Sequence, residues 1–135
     1  VTAHAQLTLD DLLEHQRLLQ LGFGNDLTVM PLDARCEFIK DMVLAATDEL
    51  HELLNEIHWK PWSSADPFIN LDYYRGELVD VLHFVLNLAL AAGLTGEEIE
   101  RAYIAKAGVN RKRQAAGYTN DGKCEVCGRA ADEPR

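Results

Sequence analysis

The chain has 135 residues, 47% of them hydrophobic and 26% charged, and a net charge of −9. That is enough for one globular domain with a single core, and the acidic balance argues against a general nucleic-acid or membrane-surface binder. Cys36, Cys124 and Cys127 do not form a secreted disulfide framework and no signal peptide is read at Val1, so the expected compartment is the cytoplasm.

The first helix is expected from about Leu9 to Leu21, with Thr8 as N-cap and Asp10 and Asp11 in its first turn. Leu9, Leu12 and Leu13 define its apolar face, and Gln16 and Gln20 fall on that same face. Inward amides need partners. They either hydrogen-bond to a neighbouring helix or read the edge of a planar polar ring. Gly22 to Asp26 then breaks the helix.

The second helix is expected from near Asp33 to about Ile57, with Phe38, Met42, Val43, Leu50 and Leu53 among its apolar positions and Cys36 as a small core residue. Glu49, Glu52 and Glu56 form a stripe flanking this apolar face, where a groove between helices would lie. Residues 58–70 have two prolines and no period, so they form a loop. Its Trp59, Lys60 and Trp62 either cap the core or form a lid over a planar, anionic ligand.

The third helix is expected to start after Asn70 and to end at Gly93. Leu78, Val81, Leu82, Val85 and Leu88 are its expected core face. Asp80, His83 and Asn87 interrupt the apolar run from Leu78 to Leu94, which reads as a buried core helix and not a membrane span. Gly76, inside the helix, suggests a close approach by another group. Phe84 continues the stripe of Glu77 and Asp80.

Glu49 with Glu52, and Glu77 with Asp80, are each spaced i, i+3, so both members project from one side of their helix. Such pairs are either solvated surface charges or, if they face each other across a packing of helices, the walls of a cation site. Carboxylate oxygens suit hard divalent ions such as Mg²⁺ or Mn²⁺.

Thr95-Gly96-Glu97-Glu98 has capping-box spacing and opens a fourth helix. Its face starts apolar, with Ile99, Ala102 and Tyr103, and then becomes Lys106, Asn110 and Arg113. This is either a solvated basic helix end or a phosphate-binding stripe. The tail, residues 119–135, holds Cys124 and Cys127 as CxxC, half the ligand set of a structural Zn²⁺ site.

In this order the motifs resemble the all-α nucleoside triphosphate pyrophosphatases, the MazG-like superfamily, and within it the dimeric dUTPases and phage dCTPase-dUTPases. The resemblance rests on Glu49-Leu50-His51-Glu52, on Trp59-Lys60-Pro61-Trp62, on Glu77 to Phe84 as ExxD with its following HF, and on Lys106, Asn110, Arg113, Gln114, Gly117 and Tyr118. It covers residues 1–118. It implies an all-α, antiparallel four-helix-type bundle that forms a homodimer, hydrolysing a deoxynucleoside triphosphate with Mg²⁺ and not acting on nucleic acid or at membranes.

By that resemblance Glu49, Glu52, Glu77 and Asp80 are metal ligands, and Glu49 or Glu52 orients or deprotonates the attacking water. Lys60, Lys106, Asn110, Arg113 and Tyr118 would hold phosphates. Gln16, Gln20, Asn25, Trp59, His83 and Phe84 would surround base and sugar. The implied reaction is dUTP to dUMP and diphosphate, in the host cytoplasm if the chain is phage-encoded. The alternatives are dCTP or another dNTP as substrate, and a non-catalytic helical dimer whose Cys124/Cys127 tail binds Zn²⁺. The chain departs from the pattern in its short length and its cysteine tail.

Overall fold

The structure is a computed structural model that describes residues 6–117. Four α-helices, α1 (Leu9–Gly22), α2 (Leu32–Asn55), α3 (Leu71–Ala91) and α4 (Gly96–Ala115), and no strand occur among the described residues. The all-α class is therefore as expected. Residues up to Ile99 form one compact unit and residues from Glu100 onward a second.

Local chemistry sets the helix ends. At α1 the Thr8 hydroxyl accepts from the Asp11 amide while the Asp11 carboxylate accepts from the Thr8 amide at 2.8 Å, a reciprocal capping box. Thr95 and Glu98 repeat that arrangement at the start of α4. The Asp10 carboxylate adds a third contact there, accepting the Gly96 amide at 2.7 Å beside the positive end of the helix dipole. A Cβ on Gly96 would lie 2.8 Å from the Asp10 backbone nitrogen, so only glycine fits this close approach. Gly93, with φ of +70°, reverses the chain after α3.

α2 and α3 pack antiparallel. Arg35 near the start of α2 donates to the carbonyl of Ala91 at the end of α3 (2.9 Å), and Met42 meets Asn87. Arg35 also donates to the Leu27 carbonyl, locking the α1–α2 loop onto the same corner. A cation at the C-terminal end of α3 is well placed against the helix dipole. Leu27, Phe38 and Ala91 form the core there, with Met30, Ile39, Met42 and Leu90 packed around it. α1 lies against α3 through Gln16, which meets both His83 and Asn87.

The apolar faces divide in two. On α3 the expected core face is packed only in part: Val81 and Leu88 are half-buried, while Leu78, Leu82 and Val85, with Val43 and Leu50 of α2, are all between 43% and 51% exposed. Leu86, Asn87 and Ala91 are buried instead. At about 100° per residue, Asn87 and Ala91 lie roughly opposite the exposed stripe of α3, whereas Leu86 sits at its edge, about 40° from Leu82. One further expectation changes: Cys36 is exposed and so is not a core residue. Among the described residues no atom would lie within 4 Å of a Cβ at Gly76. No single helix among the described residues is long and apolar enough to cross a membrane.

Candidate active site

The junction of α2 and α3 changes character along its length. Phe38 and Met42 pack against α3, and the next turns of α2 on the same side carry Glu49 and Glu52. This is the flank where the carboxylate stripe was expected. Carboxylate oxygens of Glu49, Glu52 and Glu77 all come within 4.8 Å of one another. Glu49 and Glu77 are partly buried, while Glu52 is exposed. Burial pushes the Glu49 carboxyl above its ordinary range, and the nearby negative charges of Glu52, Asp80 and Glu77 push it further in the same direction. Asp80 thus faces the cluster electrostatically, although the three mutually close oxygens come from the glutamates.

The donor set fits a hard divalent cation. It offers only carboxylate oxygens, from two helices, at a spacing one ion can bridge, and the raised Glu49 pKa records repulsion that a cation would relieve.

Beside this cluster α1 and α3 share a buried polar chain. The Gln16 Oε1 and His83 Nδ1 are hydrogen-bonded at 2.7 Å, and Gln16 Nε2 donates to Asn87 Oδ1 at 2.7 Å. Asn87 Nδ2 donates to the Met42 sulfur at 3.2 Å. Gln16 is only 3% exposed and Asn87 2%. The Gln16 amide is thus spent on a neighbouring helix, the plainer of its two expected uses. Gln20, also buried, accepts from the Asn25 side chain at 2.9 Å. His83 remains exposed beyond its bond to Gln16, and Phe84 is partly buried. The sequence reading missed Asn87 as part of this site. Its signal was there: a polar residue four positions after His83 and seven after Asp80 repeats their helical face.

The α2–α3 loop is held shut at its base. Ile57 and Ile69 pair as an isolated antiparallel bridge, and the Asn70 amide donates to the Glu56 carbonyl at 2.9 Å. His58 packs on Phe68 with ring centroids 5.3 Å apart, and Trp59 meets Trp62 edge-on at 6.0 Å. Trp62 is 75% exposed, so the pair does not cap the core. Trp59 and Lys60 instead line a recess of about 230 Å³ together with Asn55, Ile57, His58 and Ser63.

In the second unit, Asn110, Arg113, Gln114 and Gly117 line a recess of about 440 Å³. The spacing of the late motif therefore places Asn110 and Arg113 on one surface of α4. Lys106 is exposed on the same helix. Tyr118, Cys124 and Cys127 lie outside the described residues.

The fold and the acidic junction define an all-α protein built around a carboxylate cluster between two antiparallel helices. A family profile described as dUTPase matches residues 8–94, and the chain belongs to that family. It is 28% identical over 141 aligned residues to the dCTP pyrophosphatase of Enterobacteria phage T4, with 82% of each chain covered. No solved structure matches. The family match spans both carboxylate pairs and ends before the basic stripe of α4.

Proposed function

We propose that this chain is a Mg²⁺-dependent nucleoside triphosphate pyrophosphohydrolase that converts dUTP and water to dUMP and diphosphate. The observation that carries the reading is the convergence of Glu49, Glu52 and Glu77 within 4.8 Å across the α2–α3 junction. Family membership agrees with it.

Glu49, Glu52, Glu77 and Asp80 would hold the cation, which would supply charge neutralisation for a triphosphate and Lewis-acid polarisation of its phosphoryl group. Glu49 or Glu52 orients the attacking water and accepts its proton. Lys60, Lys106, Asn110, Arg113 and Tyr118 bind phosphate oxygens, Arg113 through its planar fork of donors. Trp59, Phe84, His83 and the Gln20–Asn25 pair surround base and sugar, with Gln16 acting from behind His83.

A second reading, dCTP as the preferred substrate, is favoured by the name of the phage T4 relative. In either case the chain acts in the cytoplasm as a homodimer. The exposed apolar residues of α2 and α3 support the assembly, since large apolar side chains left to water along two packed helices are a common feature of subunit interfaces. Release of pyrophosphate from a panel of dNTPs with and without Mg²⁺ tests the proposal. No release from any dNTP would overturn it.

A further inference from the structure

The side chains of Met42, Asn87, Gln16 and His83 form one hydrogen-bonded row from the core to the site. Such a row of amides has two self-consistent polarities. In one, Asn87 and Gln16 both point their amino groups towards the core, and His83 donates from Nδ1. In the other, both amides are flipped, His83 Nδ1 accepts from Gln16, and the ring proton sits on Nε2. Every bond inside the row is made equally well in both. The blind end decides between them, because the Met42 thioether can accept a hydrogen bond and cannot donate one. With the amides flipped, the Asn87 oxygen would face that sulfur without a donor, at a position 2% exposed where water cannot help.

We infer that Met42, through Asn87 and Gln16, sets the tautomer of His83, leaving its Nε2 as a bare hydrogen-bond acceptor. Met42, Asn87 and Gln16 are then positioning residues. The inference rests on the reading of His83 as a base-facing group for its functional consequence, although the tautomer itself does not. An acceptor at Nε2 meets an N–H of the ligand and turns away a carbonyl oxygen. Uracil offers N3–H and cytosine its N4 amino group, so the row fixes which edge of a pyrimidine can face His83. The sign of that selectivity is decided at a sulfur in the core, behind the residue that would touch the base.

The test is the ¹⁵N spectrum of the His83 imidazole in the full chain without ligand, followed at mildly alkaline pH. A single tautomer protonated at Nδ1 is expected, and an Nε2–H ring would overturn the inference. Met42→Leu keeps the volume and removes the acceptor, so both polarities should become populated and the two ring nitrogens should average. If the spectrum of that variant stays as in the parent, Met42 is not the anchor and the inference fails. With half the rings in the wrong tautomer, KM for the pyrimidine dNTP should rise about twofold with kcat unchanged. An unchanged KM beside a mixed tautomer would overturn the link to substrate. If the parent hydrolyses no dNTP, the proposed function falls, while the ring spectrum still judges the relay.

Discussion

Glu49 on α2 and Glu77 on α3 bring carboxylate oxygens within 4.8 Å of each other across the helix junction. Burial of Glu49, followed by the charges of Glu52, Asp80 and Glu77, raises the Glu49 pKa above the ordinary value of 4.5 and favours its protonated form. The folded chain therefore holds this proton more tightly than the unfolded chain does.

The sign of the pH dependence follows. The contribution of Glu49 to stability is fully present below pH 4.5 and is lost as pH rises through its raised folded-state pKa. Above that window the repulsion is complete. Glu49→Gln should therefore unfold at a higher temperature than the parent at neutral pH without metal, and the difference should shrink as pH falls towards 4.5. Adding Mg²⁺ should raise the Tm of the parent and barely move that of the variant. Thermal unfolding followed by circular dichroism checks both, and a variant less stable than the parent at pH 7 would contradict the repulsion.

Glu52→Gln and Asp80→Asn should each lower kcat by at least about a hundredfold while preserving helical content, because each removes a charge that the cation needs. Activity within tenfold of the parent at saturating Mg²⁺ would remove that residue from the ligand set. Asp80 is the sharper case, since it stands just outside the three mutually close carboxylates.

Gly96→Ala should destabilise the protein even though alanine is the better helix former by about 1 kcal/mol. The new Cβ would press on the Asp10 backbone nitrogen at 2.8 Å, which no side-chain rotation can relieve. Overpacking of this kind costs about 1–3 kcal/mol. Urea unfolding measures it, and a midpoint equal to or above that of the parent would show that the close approach relaxes freely.

The exposed stripe on α3 predicts the assembly. The parent should be a dimer at micromolar concentration by light scattering, and Leu82→Lys with Val85→Lys should yield a folded monomer. A monomeric parent would remove the homodimer from the proposal. Retention of the dimer by the double variant would place the interface elsewhere.

Base choice is tested by comparing kcat/KM for dUTP, dCTP, dTTP and UTP. A preference for dUTP over dCTP of at least about tenfold is expected, since a pocket that opposes two acceptors in a dry site rejects the wrong base strongly. A preference for dCTP would align this chain with the activity named for its phage T4 relative and leave the pyrophosphohydrolase reading standing.

Much of this was legible in the sequence. Thr8 and Thr95 announce helix starts because the groups that satisfy their orphan amides, Asp11 and Glu98, sit three residues away on the same segment. The carboxylate pairs are equally local: spacing alone puts Glu49 beside Glu52, and Glu77 beside Asp80. Even the junction that joins the pairs was foreshadowed by the glutamate stripe at the edge of the apolar face. Periodicity could not say which half of that face would be used. Leu82 and Val85 have the pattern of core residues, and the pattern records only that they avoid water, not whether this chain or another covers them. Tertiary structure decided that α3 turns Leu86, Asn87 and Ala91 inward. It also decided that Gln16 spends both ends of its amide on α3, because a hydrogen bond between residues 71 positions apart depends on how α1 is laid across α3, and no local pattern encodes that placement.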